Sequence, residues 1–159
     1  MFGTLFLPHV ELFLSIRLFV AVVLGALFGL ERSLAGKHAG MRTYALVSLG
    51  SCVFSLVGVL ASYQLAAFTA INPLLIASSI VVGVGFIGSG LAAGHGAHPT
   101  ELTTASGIWV VAAVGMACGF GFIITAIATA FLGLLIFTGL SPVEQHLKLH
   151  WGKKNPRNN

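Results

Sequence analysis

Two stretches of this chain carry residue types that do chemistry elsewhere. Gly83-Val84-Gly85-Phe86-Ile87-Gly88 matches, letter by letter, the Gly-x-Gly-x-x-Gly turn that cradles a dinucleotide pyrophosphate. That chemistry needs a strand before the first glycine, a helix opening at it and an acidic residue about twenty positions on. Gly83 to Gly90 lies instead within an apolar run with no soluble strand before it, and Glu101 meets only the spacing. The nucleotide assignment fails on context. His95, His98 and Glu101 offer three possible metal ligands on a Gly-rich loop, a pattern of low specificity from which no metal site is assigned. The chain has no Asp, so no Ser-His-Asp set exists, and no nucleophile stands at a suggestive spacing from a base. Neither an enzyme nor a cofactor is expected.

The remaining polar residues gather in three places. Glu31 and Arg32 adjoin, Arg42 and Thr43 follow ten residues later, and Glu101, Thr103 and Thr104 come after Pro99-Thr100. A carboxylate near hydrocarbon is costly unless paired, so Glu31 with Arg42, or Glu101 with Arg32, are expected partners. The alternative is that Glu31 and Arg32 are interfacial charges that end an apolar span. Thr100 can cap a helix start, and Thr103 or Thr104 can bond back to the preceding turn.

The elements that position these residues follow from composition. Of 159 residues, 57% are hydrophobic and 20 are Gly, against eight Lys and Arg and four Glu. A soluble domain has about a quarter of its residues charged, so this is not one. The apolar residues run long enough for helices that cross a bilayer, at about Leu12 to Leu30, Thr43 to Ser62, Leu74 to Ala93, Leu102 to Gly119 and Phe122 to Leu140. The expected fold is an all-α integral membrane bundle of five helices. Residues 1–140 form the membrane domain, read as mature from its start, and 141–159 a basic tail. Arg32, Lys37 and Arg42 lie in the first connection, and Lys148, Lys153, Lys154 and Arg157 in the tail. These share a side in a five-span chain, which the positive-inside rule makes cytoplasmic, leaving the N-terminus outside. The net charge of +4 thus points to a membrane face and not to nucleic acid. Arg17 is expected to snorkel to the outer interface near Glu11, and Trp109, deep in the fourth span, to want an acceptor for its indole N–H. Cys52 and Cys118 fit neither a zinc spacing nor a disulfide frame and are expected as packing residues.

Spans in lipid associate through close backbone approach at small residues. Ala21, Gly25 and Gly29 make one such face; Ser79, Gly83, Gly85, Gly88 and Gly90 a second; Gly115 and Gly119 a third. They predict tight packing within the chain or against a partner, a homodimer included. The glycine-dense third span can equally break its helix and line a cavity.

The ordered segments Leu24-Gly25-Ala26-Leu27-Phe28-Gly29-Leu30-Glu31-Arg32, Ala39-Gly40-Met41-Arg42-Thr43-Tyr44-Ala45-Leu46-Val47-Ser48-Leu49-Gly50, Gly83-Val84-Gly85-Phe86-Ile87-Gly88-Ser89-Gly90 and Leu102-Thr103-Thr104-Ala105-Ser106-Gly107-Ile108-Trp109 resemble the MgtC/SapB family of bacterial inner-membrane proteins. The resemblance spans about Phe19 to Leu140. It implies five spans and a role in adaptation to low magnesium, acid stress or survival inside phagocytes, with virulence for some members. It further implies regulation of other membrane proteins, notably the proton-translocating ATP synthase, rather than magnesium transport. The positions it carries over are Glu31, Arg32, Arg42, Thr43, Gly83, Gly85, Gly88, Gly90, Thr103, Thr104 and Trp109. Longer members have a soluble C-terminal domain, and this chain has a 19-residue tail in its place. Glu101 stands where a glycine is usual, and Tyr44 where a histidine is common. The second function class open to the chain is a small ion or proton transporter whose path Glu31 and Arg42 border.

Overall fold

The computed structural model describes residues 8–68, 72–94 and 99–152. They form five helices in chain order: α1 (Pro8–Leu34), α2 (Met41–Leu65), α3 (Leu74–Gly94), α4 (Pro99–Phe120) and α5 (Ile123–Gly152). No strand occurs among the described residues. All five helices are long and apolar enough to cross a membrane, over Val10–Leu34, Met41–Leu65, Leu74–Leu91, Leu102–Phe120 and Ile123–Leu140. The fold is the expected five-helix bundle.

Two of the helices end at a left-handed glycine. Gly36, at φ +67, follows α1, and Gly121, at φ +88, follows α4. Both close the same motif: Lys37 N–H donates to Arg32 O (3.0 Å) and Gly36 N–H to Ser33 O (3.1 Å), while Phe122 N–H donates to Ala117 O (2.8 Å) and Gly121 N–H to Cys118 O (3.1 Å). A residue with a Cβ rarely adopts that left-handed conformation, and the two crossed bonds satisfy helix-end carbonyls. Helix starts are capped from nearby side chains. Ser33 Oγ accepts from Met41 N–H (3.2 Å) and Asn72 Oδ1 from Leu74 N–H (3.0 Å), with Pro73 preset for the first turn of α3.

Packing centres on α2. Its buried row Tyr44, Ser48, Cys52 and Ser55, roughly one turn apart, faces α1 on one side and α4 on the other. Glycines on both neighbours let the backbones touch. A Cβ added at Gly25 would stand 2.8 Å from Ser48 Cβ and from Tyr44 O, and one at Gly119 2.6 Å from Cys52 O and Ser55 Cβ. At Gly29 it would overlap the Met41 backbone, and at Gly115 the Ser48 backbone. The first and third glycine faces read from the sequence therefore pack within the chain. Cys52 and Cys118 are free, buried thiols in this core.

The second glycine face does not. α3 is one continuous helix, so its glycines do not break it. Gly88 makes ordinary contact with Ala105 at 3.6 Å, whereas Gly83, Gly85 and Gly90 would meet nothing within 4 Å if given a Cβ. Expecting Gly83, Gly85 and Gly90 to pack within the chain is corrected: α3 leans on α4 through Val84 and Gly88 and leaves these three glycines open.

This contrast fixes an expected outcome. Gly115→Ala forces α2 and α4 apart and should cost about 1–3 kcal/mol, as overpacking does. Gly85→Ala meets open space and should be neutral or stabilise by up to about 1 kcal/mol through helix propensity. Unfolding of the two variants in detergent micelles checks this, and equal losses would contradict the assigned packing.

Candidate functional site: a buried ion pair seated on aromatic rings

The last turns of α1 bring Phe28, Glu31 and Arg32 to one end of the bundle. Arg32 is buried, with its side chain only 6% exposed and that of Glu31 18%. The guanidinium grips the adjacent carboxylate with two atoms: Nη2 donates to Glu31 Oε1 at 2.6 Å and Nε donates to Oε2. Consecutive helix positions do not face one another, so Arg32 must fold back along the helix to make this fork. Its other face lies on the Phe137 ring of α5, with Cζ 3.8 Å from the centroid. A weakly hydrated, planar cation suits that seat, and a lysine ammonium would not fork and stack together.

The aromatic floor extends inward. Phe137 meets Phe28 edge to face, with centroids 5.8 Å apart at 83°, and Phe28 stacks on Tyr44 of α2 at 6.3 Å and 9°. Tyr44 is fully buried, and its hydroxyl donates to Thr104 O of α4 at 2.9 Å. Two glycines make room: a Cβ on Gly107 would overlap the Phe137 ring and approach Tyr44 Oη to 2.7 Å, and one on Gly133 would overlap Phe28. The cluster thus ties α1, α2, α4 and α5 together around one ion pair. Chemically it can hold charge and fix helix ends. Its carboxylate and its phenol are both engaged, Glu31 by Arg32 and Tyr44 by Thr104 O.

At the opposite end Arg17 does a different task. The crossed bonds that close α4 leave the carbonyl of Gly119 over, and Arg17 Nη1 donates to it at 3.3 Å. Cys52 Sγ in turn lies 3.8 Å from Arg17 O. The expected snorkelling beside Glu11 is therefore replaced by a specific contact. A cation at a helix C-terminus also meets the negative end of its dipole.

The sequence-derived residues divide accordingly. Glu31 and Arg32 pair with each other, so the expected partnership of Glu31 with Arg42 is corrected: Arg42 is exposed at the start of α2 and Thr43 half-buried. Thr104 is buried and enters the cluster through its carbonyl, while Thr103 is exposed. Trp109 is half exposed on α4, beside a small recess with Val81, Val84 and Met116. The side chain of Glu101 and both His95 and His98 lie outside the described residues. Among those described, no group of His, Cys and Glu could hold a metal ion. Phe28, Phe137, Gly107 and Gly133 were not among the predicted site residues. Only the glycines' small size hinted at a seat, and nothing near Arg32 in sequence points to a ring 105 positions away.

A five-span helical membrane protein with a buried Glu-Arg pair at one end of the bundle is the class these features define. The sequence profile of the MgtC family matches residues 18–146, and the chain belongs to that family. It is 36% identical over 153 residues to protein SrpB of Synechococcus elongatus, covering 90% of this chain and 84% of that one. It is 37% identical over 117 residues to protein MgtC of Salmonella typhimurium, covering 74% of this chain and 48% of that one. Protein YhiD of Escherichia coli is 37% identical over 123 residues, 76% of this chain and 57% of YhiD. The chain thus spans about half the length of MgtC and YhiD. No solved structure matches.

Breaking a buried ion pair by removing one partner costs about 3–5 kcal/mol, whereas replacing both with groups of similar shape is far milder. Arg32→Ala should therefore lower the stability of the detergent-solubilised protein by an amount in that range, and Glu31→Gln combined with Arg32→Met should recover most of it. A double variant as unstable as the single one would show that the loss does not come from leaving Glu31 unpaired.

Proposed function

We propose that this chain is a non-enzymatic bacterial inner-membrane protein that regulates other membrane proteins, the proton-translocating ATP synthase among them, during adaptation to low magnesium, acid stress or life inside a host cell. Support comes from family membership and from similarity to protein MgtC of Salmonella typhimurium. The observation that carries the non-enzymatic part is the ion pair itself. Glu31 and Arg32 use their charges on each other and on Phe137, and Tyr44 uses its hydroxyl on Thr104. A reactive centre needs a group left available for substrate; these groups serve to lock four helices. The lock fits a protein that works by presenting a rigid surface. In this reading the N-terminus is outside and the Arg32 end of the bundle faces the cytoplasm, in keeping with the basic residues of the first connection and the tail.

The competing class is an ion or proton path bordered by Glu31 and Arg42. Such a path needs ionisable groups turned into a wet cavity. The experiment is flux of magnesium and protons into liposomes carrying the purified protein, with Glu31→Gln beside it. The regulator predicts no flux above protein-free liposomes from either, together with loss of low-magnesium growth complementation in Glu31→Ala. Flux that Glu31→Gln abolishes would replace the regulator by a transporter.

A further inference from the structure

α2 and α3 converge where Ile76 packs at Gly58, and from there they part toward the Arg42 end. Between them lies a groove of about 730 Å³, walled by Leu46, Gly50 and Phe54 of α2 and by Ile76, Gly83 and Ile87 of α3. Its surface is carbon. Ser79, the one hydroxyl on the α3 wall, donates to Leu75 O of its own helix at 3.0 Å. Gly50 and Gly83 face each other's wall with nothing within 4 Å of a would-be Cβ, which is what keeps the groove wide.

Length decides among possible occupants. From Leu46 to Phe54 the wall rises about 12 Å, and from Ile76 to Ile87 about 17 Å. A helix crossing the bilayer covers a hydrocarbon core of about 30 Å, whereas the acyl chains of one leaflet occupy half of it, about 15 Å. The groove has the depth of one leaflet. Its mouth is charged: Arg42 stands one helical turn before Leu46, exposed, and it enters no ion pair or hydrogen bond with the described residues. Burial of Arg32 and its pairing with Glu31 leave Arg42 as the free cation on α2 at this end. An apolar slot one leaflet deep under a free guanidinium complements a lipid with a negatively charged headgroup.

We infer that the α2–α3 groove is a binding site for an anionic phospholipid, with an acyl chain along Gly50 and Gly83 and the phosphate at Arg42. The guanidinium matches phosphate oxygens with two parallel N–H groups, and the acyl chain fills space that none of the described side chains occupies.

The test uses the full chain in detergent and counts lipid retained per protein by native mass spectrometry, offering phosphatidylglycerol and phosphatidylcholine with identical acyl chains. Wild type should retain phosphatidylglycerol about fivefold better, the effect expected of one basic residue near an anionic headgroup. Arg42→Gln should reduce that preference to parity, and Gly83→Leu should lower retention of both lipids. Gly50→Leu, also placed in open space, gives the same readout should Gly83→Leu not fold. Inorganic phosphate in excess should leave retention unchanged. Equal retention of the two lipids by wild type would overturn the site, as would a preference that survives Arg42→Gln. Retention indifferent to the leucine variants, or a homodimer that they dissolve while lipid retention stays the same, would assign the groove to a second copy instead.

Discussion

Hydrocarbon offers no hydrophobic force to drive one apolar helix onto another, so this bundle depends on how closely its backbones approach. That approach happens along a single face of α2. Tyr44, Ser48, Cys52 and Ser55 meet Gly25 from α1 and Gly115 and Gly119 from α4, and the Met41 backbone meets Gly29, each at a distance no Cβ would allow. Everything else hangs from this three-helix sandwich. α5 reaches it through Phe137 at Gly107 and through Phe28 seated at Gly133, and α3 through Val84 and Gly88. Because the contacts are backbone to backbone, they tolerate almost no substitution, yet they involve no side chain that could be recognised as functional by its chemistry.

The two arginines in the membrane part follow from the same constraint. Close packing fixes helix ends in place, and a fixed end leaves carbonyls and charges that water cannot reach freely. Arg17 resolves this at one end by bonding the α4 terminus at Gly119, and Arg32 resolves it at the other by holding Glu31 over Phe137. Both are therefore structural cations. Arg42, whose position in sequence makes it look like their equal, is the one that α2 leaves exposed.

Much of this was legible in the residues, and the rest was not for physical reasons. Five spans follow from run length alone, since a bilayer sets the length of its helices. The glycine faces of α1 and α4 were readable because small residues four apart have one strong use in lipid. The same pattern in α3 misled in part: spacing says that a face is flat, and only the fold says whether anything lies on it. Pairing was harder. Glu31 and Arg42 sit on helices that adjoin, and Glu31 and Arg32 are neighbours that an ideal helix points apart; the folded-back fork is favoured because Phe137 waits beneath it. Nothing in the α1 segment announces a ring on α5.

The open face of α3 bears on how such a protein could act. A bundle whose buried Glu31 and Arg32 satisfy each other has few polar handles within the membrane for a partner, so recognition uses shape there or the exposed Arg42 at its end. The groove between α2 and α3 joins the two: it is a wide apolar gap in the packing, and Arg42 stands one helical turn beyond its α2 wall. A lipid seated there would cover the surface that another span would otherwise use, so occupancy and partner binding compete for the same wall. Such competition would make binding of a partner depend on the charge of the surrounding lipid, with no conformational change required of the locked core.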